Sequence, residues 1–330
     1  STQPPDEVEK TAPGATVIAD PHAAATADNV DLVVIATPND SHAPLAMAAL
    51  GAGKHVVVDK PFTVTLAEAR TVAAAAAHAG RMLSVFQNRR WDSDFLTVSA
   101  ALAQGRLGRL VQFESRIDRY RPEVRDRWRE RPGPGTGLWF DLGAHLVDQV
   151  LLLFGLPERI AVHLASQRRA DTAPDWFHAV LTYPSLHAIL SAGSLVAGGS
   201  PRFALHGTAA SLIKGSVDVQ ESQLRQGIPP GDLDWGIDLD PATLIDGATA
   251  EPTIVTAADG DYRRYYEGVR DAIWGAGPNP VPPAQAVALM AALQAGADSA
   301  RTGQALPLPL SDAEVTAFQE ARAVGAAPQP

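Results

Sequence analysis

Cysteine is absent from the 330 residues of this sequence. Its absence excludes disulfide bonds, thiolate catalysis and cysteine-bound zinc or iron–sulfur centres, and it is consistent with a cytoplasmic location. No apolar run approaches the roughly 20 residues that a membrane-spanning helix needs. The first residues are rich in proline and acidic groups, which is not the pattern of a signal peptide. We therefore predict a cytoplasmic protein without a membrane partner.

Positive charge is also in short supply, because 27 Lys and Arg residues stand against 37 Asp and Glu residues and give a formal net charge of −10. This balance disfavours attraction to nucleic acid, so we predict no nucleic-acid partner. The stretch 116–129 interleaves arginines with aromatic residues, but acidic neighbours accompany them. That mixture favours a salt-bridged loop over a cleft, in which Trp128 could help to bind a polar substrate.

The first part of the chain alternates apolar strands with helices. Strands are predicted over residues 31–37, 55–58 and 82–86, and helices over 42–51 and 66–79. Ser41 or Asp40 is expected to cap the first helix, and Thr65 or Thr63 the second. Short connections in a β-α-β-α-β order are typical of a doubly wound parallel sheet. We predict an α/β fold and assign residues 1–90 to a nucleotide-binding domain.

After residue 90 the strands become longer and their polar and apolar residues alternate. This pattern predicts a mostly antiparallel open sheet with helices on one face, in a second α/β domain over residues 91–330. The predicted strands are 110–118, 158–166, 176–183, 187–195, 202–207 and 210–216, and the predicted helices are 93–104, 140–154 and 283–302. The tail 325–330 is predicted to be disordered.

A glycine-rich turn of the form G-x-G-x-x-G, expected after the first strand of a dinucleotide-binding fold, is absent as well. Such a fold opens with about 30 residues of strand, helix and strand, and only the short apolar run 16–20 occurs near the start of this chain. Two explanations stay open. Either the sequence begins partway through the domain, or the protein has lost the cradle for the phosphates.

Lys60 is the most informative residue that is present. It is one of only four lysines, and it follows a β-branched strand in the run HVVVDKPF, residues 55–62. In a parallel sheet, ligands bind at the carboxyl ends of the strands. Asp59 would contact a ribose hydroxyl there, and Lys60 would bond the substrate oxygen and stabilise its developing negative charge. The alternative is a solvated ion pair at the end of a strand.

Asp141 and His145 form a second cluster, four residues apart on a predicted helix, so that both are expected on one face. A histidine beside a carboxylate can take a hydroxyl proton, since its ordinary pKa is about 6.5. The alternative is a capped helix with a structural histidine. Asp148 lies on the same side, but no second histidine is placed to complete a metal site, and we predict no metal.

Polar residues also follow the other two strands. Thr37, Pro38, Asn39 and His42 come after the first strand, where they are expected to face a cofactor unless they form only a turn. Asn88 and Arg89 follow the third strand, where they could meet the cofactor and the substrate unless they belong to a linker.

Four motifs together resemble the Gfo/Idh/MocA family of NAD(P)-dependent oxidoreductases. They are ATPNDSH (36–42), GKHVVVDKP (53–61), NRRWD (88–92) and GTGLWFDLGAHLVD (135–148), and the run from 86 to 148 is most similar to the branch with NADP-dependent scyllo-inositol dehydrogenases. The resemblance implies a Rossmann domain followed by an α/β domain whose large sheet forms a homodimer or homotetramer. It also implies a catalytic pair of Lys60 and His145 with Asp141 as partner.

The same resemblance assigns cofactor and substrate residues. Its cofactor positions fall on Thr37, Asn39, His42 and Asp59. The family usually has glutamate at the position of Asp59. The shorter acid still offers an acceptor for a ribose hydroxyl. Ser1 and Thr2 lie near the point that distinguishes the two dinucleotides, and the lack of an acid there favours NADP over NAD. For the substrate we expect contacts from Lys60, Arg89, Trp128, Asp141 and His145.

The leading hypothesis is therefore an NAD(P)-dependent dehydrogenase or reductase that acts on a secondary alcohol of a cyclic polyol or sugar. His145, oriented by Asp141, would take the hydroxyl proton. A second hypothesis is a non-catalytic protein on the same scaffold that senses a nucleotide or sugar, favoured by the missing phosphate turn. A third is a nicotinamide-dependent glycosidase.

Overall fold

The computed structural model describes residues 5–324. The first two residues, which bear on the choice of dinucleotide, and the tail 325–330 lie outside this range. The strands run β1 Leu32–Ile35, β2 His55–Val58, β3 Leu83–Val85, β4 Leu110–Arg116, β5 Arg159–Ala165, β6 Trp176–Thr182, β7 His187–Gly193, β8 Phe203–Gly207, β9 Ala210–Lys214, β10 Ala242–Asp246 and β11 Pro252–Val255. The α-helices run α1 Pro5–Thr11, α2 Pro21–Ala25, α3 His42–Gly51, α4 Leu66–Ala79, α5 Ser93–Ala103, α6 Ala144–Phe154, α7 Gln220–Arg225, α8 Arg263–Ile273, α9 Pro283–Thr302 and α10 Asp312–Val324.

The predicted parallel sheet is confirmed as three strands in the order β1-β2-β3. The β-branched residues of β2 are fully buried between helices, as a strand covered on both faces requires. Helix α4 begins with a reciprocal capping box between Thr65 and Glu68, and it ends at Gly80, whose φ of 60° is the left-handed value that favours glycine.

The predicted cap of α3 by Ser41 or Asp40 is wrong. A 3-10 turn, Asn39–Ser41, precedes the helix, and the Ser41 side chain makes no capping hydrogen bond. Instead, the Ser41 hydroxyl lies 2.7 Å from the Pro38 carbonyl oxygen, to which it can donate, and 2.6 Å from Thr37 Oγ1, from which it can accept. These bonds stabilise the loop after β1 rather than the start of the helix.

The second sheet has eight strands in the order β11-β10-β9-β8-β4-β7-β6-β5. It is mostly antiparallel, as predicted, and only β4 and β7 pair in parallel. The prediction omitted β10 and β11. β11 begins with Pro252 and is largely exposed at the sheet edge, so it has neither the apolar alternation nor the composition that marks a strand in sequence.

Helix α9 packs against β5 and α4, and so against elements of both sheets. Trp139 is anchored to it, because its indole nitrogen donates to the Leu293 carbonyl at 2.9 Å. Gly296 allows this contact, since a Cβ there would lie 2.3 Å from the Trp139 ring. None of the helices among the described residues combines the length and the apolar character that crossing a membrane requires.

The predicted helix 140–154 is not one continuous α-helix. Residues Trp139–Gly143 form a π-helical segment, and α6 begins only at Ala144. The π-helix closes its hydrogen bonds over five residues rather than four. Residues 141 and 145 therefore do not share a face in the way that regular α-helical spacing predicts. This segment carries the acidic residue of the predicted site.

Candidate functional site

Three polar residues lie at one level on the carboxyl edge of the parallel sheet. Ile35, Val58 and Val85 pair across the three strands, and Thr37, Lys60 and Gln87 each stand two residues beyond them. Since the chain leaves all three strands in the same direction, their side chains are placed at the edge where such sheets bind ligands.

Lys60 connects this edge to the π-helical segment. Its ammonium group donates to the Asp141 carboxylate at 2.8 Å and to the Asp141 carbonyl at 2.9 Å. Burial raises the pKa of Asp141, but the charge and hydrogen bond of Lys60, with Arg129 and Arg119, outweigh it and lower that pKa to about 2. Asp141 is therefore a carboxylate at any neutral pH, and it fixes the lysine that the sequence singles out.

His145 lies on the first turn of α6 and is only 4 % exposed. Burial lowers the pKa of its imidazole well below 6.5, and the positive charges of Lys60, Arg89, Arg202 and Arg119 lower it further. The ring is therefore neutral at pH 7. Its Nδ1 atom is buried and has no hydrogen-bond partner. Contrary to our expectation, Asp141 makes its hydrogen bonds with Lys60 and not with this ring, because the π-helical segment alters their spacing.

His42 joins the loops after β1 and β2. Its Nδ1 lies 3.0 Å from the Pro61 carbonyl oxygen and its Nε2 lies 3.0 Å from the Thr37 carbonyl oxygen. Both ring nitrogens thus face the protein's own backbone, and the neutral ring can donate to only one of the two carbonyls. The position of His42 beside the edge agrees with the sequence, and its contact with a cofactor stays a prediction.

Asn39 ties the first sheet to the glycine-rich loop before the π-helical segment. Its amide nitrogen donates to the Gly135 carbonyl at 3.0 Å, whereas its Oδ1 is buried without a partner. Asp59 accepts a bond from the backbone N–H of Lys60 at 2.8 Å. Pro38 and Asn88 lie in the loops after β1 and β3. All of these predicted cofactor residues therefore border the same edge.

Gln87 belongs to the polar run after the third strand, from which we selected its neighbour Asn88 as the cofactor residue. It is 1 % exposed, and neither its amide oxygen nor its amide nitrogen has a partner. Buried polar atoms are normally hydrogen-bonded, so the unpartnered atoms of Gln87, Asn39 and His145 mark the edge as suited to a polar ligand. Gln87 stands two residues beyond the end of its strand, as Thr37 and Lys60 do beyond theirs. This shared position would have identified it from the sequence.

The other predicted substrate residues, Arg89 and Trp128, differ in whether their side chains are already engaged by other residues. Arg89 donates to Asp92 and to Glu221, in both cases at 2.9 Å. Trp128 is half-buried, stacks under Arg129 at 4.5 Å and lines a cleft with Pro38 and Asn39. Ion pairs of this loop, such as the 2.8 Å contact between Arg127 and Glu130, agree with the predicted salt-bridged loop. Roles in substrate binding stay predictions.

Asp148, weighed above as a metal ligand, is paired with an arginine. It accepts two hydrogen bonds from Arg90, at 2.6 Å and 2.8 Å, deep in the protein. Between residues 5 and 324 we find no cluster of three histidine or acidic side chains that could bind a metal ion.

Two family models match the chain. The oxidoreductase family's NAD-binding Rossmann fold matches residues 3–87, and its C-terminal alpha/beta domain matches residues 99–310. Together these ranges contain every strand of both sheets.

Individual proteins agree with these models. The chain is 48% identical to the oxidoreductase YdgJ of Escherichia coli over 88% of this chain and 84% of that one. It is 36% identical to the scyllo-inositol 2-dehydrogenase (NADP(+)) IolW of Bacillus subtilis, over 92% of this chain and 86% of that one.

Solved structures share the fold. A Klebsiella pneumoniae crystal structure superposes with a TM-score of 0.90 at 48% identity, over 96% of this chain and 88% of that one. An oxidoreductase from Bacillus cereus superposes with a TM-score of 0.84 at 29% identity, over 94% of this chain and 89% of that one. With its motifs, its two sheets and these relatives in agreement, the chain belongs to the Gfo/Idh/MocA family of oxidoreductases and is a dehydrogenase or reductase.

Proposed function

We propose that this protein is an NADP-dependent dehydrogenase or reductase for a secondary alcohol or ketone of a cyclic polyol or sugar. The observation that carries the proposal is the grouping of Lys60, Asp141 and the neutral, buried His145 at the carboxyl edge of the parallel sheet. The names of two relatives support the substrate class: the inositol dehydrogenase IolW, and a 1,5-anhydro-D-fructose reductase of Ensifer adhaerens at 29% identity.

A bound nicotinamide supplies the hydride acceptor in oxidation and the hydride donor in reduction. Asn39, Gln87 and Asp59 are the residues that would hold this cofactor, because the first two offer unpartnered buried atoms and the third offers a carboxylate beside the sheet edge. The relative IolW is an NADP(+) enzyme by name, which supports NADP rather than NAD.

The protein's own groups divide the proton chemistry. His145 is neutral at pH 7 and takes the hydroxyl proton from the alcohol, or returns a proton to it in the reverse direction. Lys60 donates to the substrate oxygen and stabilises negative charge as it develops there. Asp141 is a positioning residue, since its carboxylate fixes the ammonium group of Lys60.

Titration of the purified protein with NADPH and with NADH, followed by nicotinamide fluorescence, tests the cofactor. We expect micromolar binding, tighter for NADPH. A panel of inositols and sugars, with NADP or NADPH absorbance as the readout, then tests the substrate class. A folded protein that binds neither dinucleotide would contradict the proposal, and equal binding of both would contradict its preference for NADP.

Assembly is a separate part of the proposal. We propose a homodimer or homotetramer that forms through the eight-stranded sheet, as the family resemblance implies. Sedimentation velocity measures it directly, and a monomer at micromolar concentration would contradict it.

A further inference from the structure

A charged cleft opens beside the proposed reacting groups. Its cavity volume is about 40 Å³, and it is open to solvent. We call it the arginine cleft, and its charged lining consists of Arg119, Arg121, Arg127, Arg129, Arg168, Glu130, Asp141 and Asp175. The arginines outnumber the carboxylates, so the cleft carries net positive charge in a protein that is acidic as a whole.

Some of these arginines are neutralised locally. Arg168 lies 3.1 Å from Glu130 and 2.7 Å from Asp175, and its side chain is only 6% exposed. Arg127 lies 2.8 Å from the same Glu130. These pairs account for Arg127 and Arg168 as parts of a salt-bridged loop, and they occupy both Glu130 and Asp175.

Arg119 and Arg121 have no such partners. Among residues 5–324, neither guanidinium group makes an ion pair or a side-chain hydrogen bond. Burial lowers the pKa of both groups, and neighbouring arginines lower it further, chiefly Arg121 for Arg119 and Arg125 for Arg121. The charges of Glu221 and Asp141 act in the opposite direction on Arg119, but Asp141 is paired with Lys60 and Glu221 is paired with Arg89. The guanidinium N–H groups of Arg119 and Arg121 therefore remain available as donors to a bound anion.

The backbone fixes the direction of these two side chains. Beyond β4 the chain stays extended, because the N–H groups of Arg119 and Arg121 donate to Gly193 at 2.9 Å and to Ser194 at 2.7 Å. Successive side chains of an extended strand point to opposite sides. Arg119 and Arg121 therefore both line the cleft, while Tyr120 between them is 62% exposed.

The arginine cleft also touches the reacting centre. Asp141 lines it, and the Oδ1 atom of Asp141 lies 2.8 Å from Lys60 Nζ and 3.9 Å from Arg129 Nε. Asp141 is thus shared by the reacting centre and by the cleft that Arg119 and Arg121 line.

We infer that the arginine cleft binds an anionic substituent of the substrate, a carboxylate or a phosphate, through Arg119 and Arg121. The inference rests on the proposed function and narrows its substrate class to acidic or phosphorylated sugars and polyols. Guanidinium groups suit both anions, because their paired N–H donors match two oxygens of either group.

The test compares D-glucose, D-glucuronate and D-glucose 6-phosphate as ligands of the NADPH-loaded protein, by calorimetric titration and by turnover. We expect at least one anionic compound to bind roughly 10-fold or more tightly than D-glucose. The better of the two identifies the substituent. Binding of all three with equal affinity would overturn the inference.

Variants locate the effect. Arg119→Gln and Arg121→Gln are expected to weaken binding of the anionic compound roughly 10- to 100-fold and to leave D-glucose binding unchanged. Arg119→Lys keeps the charge but loses the paired donors, so an intermediate loss is expected. Arg301→Gln, which removes the same charge from an exposed position on α9, is the matched control and should have no effect.

The outcomes separate the two claims. A merely structural role of Arg119 would weaken neutral and anionic ligands alike, and that result would overturn the inference. Anionic binding that depends on Arg119, without any turnover, would support the cleft and count against the proposed function. Turnover of D-glucose as fast as that of D-glucuronate and D-glucose 6-phosphate would count against the cleft and support the proposed function.

Discussion

Lys60 and Asp141 are 81 residues apart in the chain, and their side chains meet at 2.8 Å. One belongs to the carboxyl end of the first sheet and the other to the π-helical segment that precedes α6. The contact brings the proposed electrophilic group and the neutral His145 into one site.

Replacing Lys60 with alanine should lower kcat by roughly 100-fold or more, because the developing charge on the substrate oxygen loses its donor. NADPH binding should change little, whereas the thermal unfolding midpoint should fall, because the partly buried carboxylate of Asp141 loses its counter-charge. Stopped-flow and fluorescence titration measure the two effects separately. Lys10→Ala, at an exposed position on α1, is the control, and near-normal turnover by the Lys60 variant would contradict the mechanism.

The acidic limb of log(kcat/KM) should lie below pH 6.5, since burial and neighbouring cations hold the pKa of His145 well below that value. The depressed pKa of His145 also makes the stability of the protein depend on pH. Below pH 6.5 the unfolded chain binds a proton at this histidine and the folded chain does not, so the free energy of unfolding falls as the pH falls.

His145 should contribute at most about 1.4 kcal/mol per pH unit to the slope of the free energy of unfolding against pH. Urea unfolding of the wild type and of His145→Gln, at several pH values from 5 to 7, gives the difference. His187→Gln, at an exposed strand position, serves for comparison. An unchanged slope in His145→Gln would show that the buried ring is not neutral.

Gln87→Met should leave the stability of the free protein unchanged or raise it slightly, because the buried amide has no partner to lose. Ligand binding should weaken by roughly 10-fold if the amide contacts the cofactor or the substrate. Titrations with NADPH alone and with NADPH plus substrate distinguish the two. Unchanged binding in both would leave the amide without a ligand role.

Gly296→Ala should destabilise the protein by about 1–3 kcal/mol, since its Cβ would lie 2.3 Å from the Trp139 ring in a packed core. Gly51→Ala is the matched control, because a Cβ there meets nothing within 4 Å. Urea denaturation of both variants measures the contrast. Equal stability of the two would show that helix α9 can move away from Trp139 at little cost.

Asp148→Ala should cost about 3–5 kcal/mol, because it leaves the guanidinium group of Arg90 buried without its counter-charge. Asp298→Ala removes the acid of an exposed pair with Arg301 and should cost less than about 1 kcal/mol. EDTA should change neither stability nor activity of the wild type. A loss of either with EDTA would revive a metal role for Asp148.

The first sheet was predictable because its signals are local. β2 is a run of β-branched residues buried on both faces, and Thr65 and Gly80 mark the ends of α4 in the way that capping chemistry requires. The edge strand β11 carries no comparable signal, because its residues are largely exposed. Its neighbour β10 has only five residues and was also not predicted.

The site was predictable in its residue types but not in its contacts. Lys60, Asp141 and His145 are visible as chemistry in the sequence. Lys60 and Asp141 do meet, and the charge of Lys60 acts on the buried ring of His145. The pairing of Asp141 with Lys60 depends on a π-helical segment, and that segment is stabilised by the contact of Trp139 with a helix about 150 residues later. No spacing rule near residue 141 contains that information.

The amide of Asn39 and the ammonium of Lys60 reach the same stretch of chain, at Gly135 and at Asp141. A hinge motion that separated the two sheets at this edge would break both contacts together. Lys60 would then lose the anion that holds it in place at the moment when water enters. Separation of the two sheets at this edge and a fixed Lys60 would thus be mutually exclusive, because both depend on the same contacts.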